Sequence, residues 1–210
     1  MTPPPPSPSL PRVHAITDER IARRADVDDV ARELAAGGAS QLALHARGRT
    51  LSGLEHYDLA VRLSVTPTVR LFVNDRLDVA LAADAQGVQL RADSLSPADA
   101  RRLNARWWIG LSVHDVEQAR AAHAAGADYL LVGPVFATAT HPDRAPLGVE
   151  RLAEIVRLGL PVIAIGGVTP DRIAAIRAAG ASGAAAIRAL WDATDPAEAA
   201  RRMVQEWNHQ

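Results

Sequence analysis

The chain has 210 residues, 48% hydrophobic and 22% charged, a composition that suits a folded globular protein with a sizeable core. Its formal net charge of −1 gives no electrostatic footprint for nucleic acid or an anionic membrane surface, and the lack of cysteine excludes disulfides, thiolate metal sites and a cysteine nucleophile. No apolar run reaches the ~18–20 residues of a membrane span, and the expectation is a cytoplasmic protein.

The opening MTPPPPSPSLP has no basic start followed by an apolar stretch, so it does not read as a secretory signal. Its prolines favour an extended, unpaired chain, and residues 1–11 are expected to form a disordered leader. From Arg12 onward, short apolar runs alternate with helical patterns. The strand candidates are VHAIT (13–17), QLALH (41–45), RLFVN (70–74) and GVQL (87–90), then IGLSV (109–113), YLLVG (129–133), VIAIG (162–166) and GAAAI (183–187). Between them lie amphipathic stretches such as DVDDVARELAAGG (26–38) and DVEQARAAHAAGA (115–127), each opening on an acid suited to capping and closing at glycine. Regular alternation of this kind implies a parallel sheet with helical crossovers. Eight such units over residues 12–210 predict an α/β fold, a single-domain (β/α)8 TIM barrel near the short end of its size range. An open doubly wound sheet is the other arrangement with this order, but no G-x-G-x-x-G follows the first strand.

In a barrel the chemistry sits where strands meet the loops at their carboxyl ends. His45 ends the second strand and Arg47 follows two residues later. Asn74 and Asp75 follow the third, and Asp75 is a candidate oxygen ligand for a divalent cation as well as a candidate helix cap. The fifth strand offers Ser112 and His114. The sixth opens a long loop with Thr138, Thr140 and His141. Gly166 and Gly167 close the seventh strand ahead of Thr169-Pro170-Asp171, a helix start; Ile187 and Arg188 close the eighth. Loops after the last two strands form the recurring phosphate cradle of this fold, so these glycines are expected to bring backbone amides up to a phosphate. Of the other histidines, His14 belongs to the barrel bottom or core, His56 and His123 to helix surfaces or packing, and His209 to a fraying tail.

These segments resemble the thiamin phosphate synthase superfamily and its TenI-like branch, the thiazole tautomerases. The resemblance runs from VHAITDE to AEAARRMV and is carried by LFVNDRLDVAL, GVQL, IGLSVH, GADYLLVGPVFATATHP, PLGVERL and PVIAIGGVTPDRI, in order and with compatible spacing. It implies a (β/α)8 barrel whose ligands share a methylthiazole with a phosphoethyl arm, the phosphate held on amides at Gly166–Gly167 and Ile187–Arg188. A synthase of this kind joins thiazole phosphate to an aminopyrimidine pyrophosphate with magnesium and basic residues. A tautomerase aromatises a carboxythiazole phosphate by proton transfer, without a metal.

The chain departs from both patterns. The synthase arginine on the second strand is replaced by His45, its lysine by Arg47, and the loop lysine by His141. Asp75 matches one magnesium ligand, while the second falls on Ser94, with Asp93 adjacent but out of phase. The Ser-Val-His triplet and GVQL are closer to the TenI-like branch, yet Pro134 stands where a studied tautomerase has its catalytic histidine. The resulting expectation is a TenI-like thiazole tautomerase without a cofactor. His114, His141 or His45 would move protons, and Arg47 or Arg188 would hold the carboxylate or phosphate. A divergent synthase using magnesium at Asp75 and a non-catalytic thiazole-phosphate-binding protein are the other two readings. The expected partner is a small-molecule thiazole phosphate, with no nucleic acid or membrane; assembly into a homo-oligomer is left open.

Overall fold

The computed structural model describes residues 9–64, 68–138 and 145–208. Eight parallel strands close into one barrel: β1 (Val13–Ile16), β2 (Leu42–Ala46), β3 (Arg70–Asn74), β4 (Gly87–Leu90), β5 (Trp108–Val113), β6 (Tyr129–Val132), β7 (Val162–Ile165) and β8 (Gly183–Ala186). Each pairs with its neighbours in sequence, and β1 returns to β8 with Val13 opposite Ala184. The fold is the expected TIM barrel, and the open sheet is excluded by that last pairing.

The outer layer comprises α1 (Glu19–Ala22), α2 (Val27–Gly38), α3 (Gly53–Leu63), α4 (Leu77–Ala82) and α5 (Pro97–Leu103). It continues with α6 (Val116–Ala124), α7 (Gly148–Val156), α8 (Ile173–Ala178), α9 (Arg188–Trp191) and α10 (Pro196–Asn208). Their starts follow side-chain chemistry. Ser52 and Ser96 each build a capping box, with Glu55 and Asp99 respectively, and Asp115 accepts from the Gln118 amide. Asp26 makes no such cap; Arg24 holds its carboxylate at 2.7 Å instead. Thr169 makes no side-chain cap either, and Pro170–Arg172 form a 3-10 turn before α8. No helix among the described residues is long and apolar enough to cross a membrane.

Alternation along the strands sends Leu42, Leu44 and Ala46 outward against the helices, while Ala43 joins Ile16, Phe72, Trp108, Tyr129 and Ile163 in the barrel interior. That interior is unusually polar, since His14, His45, Asn74 and Gln89 are buried there too. Near its lower end Leu10 packs on the inner cluster and Pro11 is buried, so these two residues of the expected leader lie against the barrel; residues 1–8 lie outside the described residues. His14 takes the core position of its two expected sites. His56 is buried and bonds the Ala46 carbonyl at 2.9 Å, and His123 is exposed. His209 lies outside the described residues.

Candidate active site

A cavity of about 920 Å³ opens among the carboxyl ends of the strands. Its β2 side is built by Thr17. That hydroxyl accepts from the Arg47 amide at 2.8 Å and donates to the Arg47 carbonyl at 2.7 Å, which fixes the backbone where the strand ends. Arg47 thereby reaches the cavity wall, and its guanidinium pairs with no carboxylate among the described residues. Burial, and then the neighbouring Arg49 charge, lower its pKa from the ordinary arginine value. The charges of Glu19, Asp18 and Asp75 act on it from further off and oppose that shift. A partly desolvated cation that no carboxylate contacts favours an anionic ligand.

At the end of β7, Gly166 and Gly167 adopt φ of +97° and +63°, a region that suits glycine. The space above them is also closed: a Cβ on Gly166 would stand 2.6 Å from the Pro134 Cα, and one on Gly167 2.5 Å from the Ala137 carbonyl oxygen. The β6 loop lies directly on this turn, with the Val135 and Phe136 amides bonding the Ile165 and Gly166 carbonyls. Arg172 braces it by donating to the Gly167 carbonyl at 2.5 Å and lying 4.7 Å from the Phe136 ring centroid. The amides of Gly167 and Val168 bond no acceptor among the described residues, and those of Arg188 and Ala189 begin α9, where a helix leaves its first N–H groups unpaired. These amides, with Arg188 beside them, give the cavity a second end rich in N–H donors, an arrangement that suits an anion.

Between the two ends stand Asn74, Ser112 and His114. Ser112 Oγ accepts from Gln89 Nε2 at 3.0 Å. His114 Nδ1 lies 2.5 Å from the Gly133 carbonyl; since a carbonyl only accepts, that nitrogen carries the proton and Nε2 of the neutral ring is the free lone pair.

The structure thus brings Arg47, Asn74, Ser112, His114, Thr138, Gly166, Gly167, Ile187 and Arg188 to one cavity wall. His45 is not on it. Its ring is fully buried, stacked on Phe72 with centroids 4.9 Å apart, because alternation turns it down the barrel axis one layer below Arg47. Thr140 and His141 lie outside the described residues. Arg49, Arg91 and Arg172 also line the cavity and were missed. Arg91 follows β4 directly, so the strand-end rule that selects its neighbours points to it as well.

Magnesium does not fit the residues that the resemblance assigns to it. Asp75 is not on the cavity wall, and both its oxygens are engaged: Oδ1 accepts from Ser94 Oγ at 2.5 Å and Oδ2 lies 2.9 Å from Arg91 Nε. Asp93 is 73% exposed at its side chain and lies 3.5 Å from the same Arg91 nitrogen, so the guanidinium takes up both carboxylates. Among the described residues no three metal-ligating side chains gather. Magnesium at a phosphate site needs at least one carboxylate oxygen free to take it, and the two oxygens of Asp75 are held by Ser94 and Arg91.

A family model described as thiamine monophosphate synthase matches residues 13–190. A thiamine-phosphate synthase of Chloroflexus aurantiacus is 39% identical over 199 residues, covering 91% of this chain and 90% of that one. One of Methanoculleus marisnigri is 42% identical over 195 residues, covering 91% and 92%. Among solved structures, a thiamine phosphate pyrophosphorylase from Pyrococcus furiosus superposes with a TM-score of 0.81 at 33% identity, covering 93% of this chain and 95% of that one. These relatives overturn the expectation of a TenI-like thiazole tautomerase. The geometry agrees with that correction: the buried Pro134 cannot act as a base, and His45 is removed from the cavity.

Proposed function

The chain belongs to the thiamine monophosphate synthase family, and within it we propose that this enzyme joins a thiazole phosphate to an aminopyrimidine pyrophosphate, releasing diphosphate. In that reaction the thiazole nitrogen lone pair forms a bond to the pyrimidine methylene carbon as the carbon–oxygen bond to diphosphate breaks. The electron pair leaves on the diphosphate. No proton has to be abstracted from carbon, so the site needs positive charge at the departing group rather than a base.

The cavity suits that demand. Arg47, Arg49, Arg91, Arg172 and Arg188 line it against the single carboxylate of Asp93. The observation that carries the reading is the half-buried Arg47 guanidinium, in contact with no carboxylate among the described residues, on the same cavity wall as a second group of N–H donors. Two anion-holding ends match two phosphorylated substrates. The β7–β8 amides and Arg188 hold the thiazole phosphate, and Arg47 and Arg49 face the diphosphate. Asn74 and Ser112, placed between, make the polar contacts to the rings and align nitrogen with methylene. Guanidiniums stabilise the charge that develops on the leaving oxygens, and the low-dielectric wall strengthens them.

The test is direct. Purified protein incubated with thiazole phosphate and aminopyrimidine pyrophosphate should form thiamin phosphate, read as thiochrome fluorescence after oxidation. Absence of product at every metal concentration, with both substrates shown to bind, would remove the reading.

A further inference from the structure

Asp75 leaves β3 with φ of +63°, and its amide bonds the Gln89 carbonyl at 3.0 Å, so the side chain sits beside the exit of β4. Two residues of that exit close on it. Ser94 donates to Oδ1, and the Arg91 amide in turn bonds Ser94 Oγ at 3.1 Å, which folds residues 91–94 into a compact turn. Arg91 Nε stands 2.9 Å from Oδ2, although its N–H is not aimed along that line, so the contact is a charge pair rather than a directed hydrogen bond. Arg91 is on the cavity wall and Asp75 is not. The carboxylate therefore presents to the cavity a guanidinium that it anchors.

We infer that Arg91 occupies the place of a divalent cation between Asp75 and the departing diphosphate, so that Arg91, with Arg47 and Arg49, binds that group without a metal. The inference rests on the synthase reading of the same cavity. Three features carry it. Both oxygens of Asp75 are spent on Arg91 and Ser94, so a metal ion would first have to break the pair. A hydroxyl stands where a second anionic ligand would be needed, which lowers the attraction for a strongly hydrated dication. And guanidinium matches phosphate oxygens through a planar fork that needs no dehydration of an inner ligand shell.

Inorganic diphosphate is the probe, titrated calorimetrically into the full chain in EDTA and again in magnesium. The unaltered protein should bind it about equally in the two, within roughly threefold, while Arg91→Ala should lose roughly tenfold or more in EDTA. Arg91→Lys keeps the charge without the fork and should fall between them. The pair Arg91→Gly with Ser94→Asp restores a free carboxylate and adds a second; its binding should be weak in EDTA and recover roughly tenfold in magnesium. Binding by the unaltered protein only in magnesium, or unchanged binding by Arg91→Ala, overturns the inference. Thiamin phosphate formation separates the two levels. Product that appears only with magnesium refutes the role of Arg91 and leaves the synthase reading intact. The expected titrations without product under any condition refute the synthase reading and leave Arg91 as a metal-free diphosphate ligand.

Discussion

His14 Nδ1 lies 2.8 Å from His45 Nε2 inside the barrel, and both rings are fully buried. The direction of this bond follows from its ends. His14 Nε2 is 3.0 Å from the carbonyl of Pro11, which can only accept, so His14 carries its proton on Nε2 and accepts on Nδ1. His45 must then donate from Nε2, leaving its Nδ1 as an acceptor 3.3 Å from the Asn74 side-chain amide. Satisfying that nitrogen requires the NH2 of Asn74 to face His45, which turns the Asn74 oxygen toward the cavity.

Nitrogen-15 spectra of labelled protein at neutral pH should therefore show His14 and His45 as neutral rings, each with its proton on Nε2. A proton on Nδ1 of either ring, or an imidazolium, would break this assignment.

The same pair should make the fold acid-sensitive. Burial is the main cause that lowers His14 to about 4 and His45 well below the usual 6.5; the His14 charge adds to the effect on His45, and Arg70 to that on His14. Both rings stay neutral in the folded chain and protonate on unfolding, so their contribution is complete above pH 6.5 and is lost as pH falls from there toward 4. For His14 alone the loss at pH 5 is about 2 kcal/mol. Urea denaturation at pH 7 and pH 5 measures it, and equal midpoints would contradict it.

Charge and not proton transfer should govern the rate. If the proposed reaction is the right one, Arg47→Ala is expected to lower kcat/KM by about 100-fold or more, by removing a cation that faces the departing diphosphate. His114→Gln should change it by less than about threefold, since substitution at the methylene consumes no base. A large effect at His114 with a small one at Arg47 reverses the mechanism.

Gly167→Ala should strain φ of +63° and drive a methyl to 2.5 Å from the Ala137 carbonyl oxygen. A cost of about 1–3 kcal/mol in unfolding free energy is expected, with weaker binding of the thiazole phosphate. Thermal denaturation and phosphate titration report the two effects separately.

Most of the barrel was legible because each strand is a short apolar run between turn signals. The predicted run 41–45 differs from β2 by one residue at each end, and 87–90 coincides with β4. Much of the cavity wall was legible too, since the carboxyl end of a strand is a position that sequence marks. Direction is harder. His45 and Arg47 share a strand face, yet one ring is sealed beneath Asn74 while the other side chain reaches the cavity, a difference set by barrel depth. The choice between branches, corrected by the relatives, was misread because histidines at strand ends were weighed as bases, whereas the surplus of guanidiniums on the cavity wall shows only once the wall is assembled. Arg91 was overlooked because its segment was searched for carboxylates alone.

The barrel closes through partners about 170 positions apart, Val13 with Ala184, and α10 lies across α2. A nascent chain emerging from the ribosome must therefore keep the β1 edge unsatisfied until the eighth strand appears, for loop closure over that span comes before the contacts that reward it. The price of seamlessness is a late commitment: during synthesis the β1 edge stays open to stray pairing until the eighth strand is made.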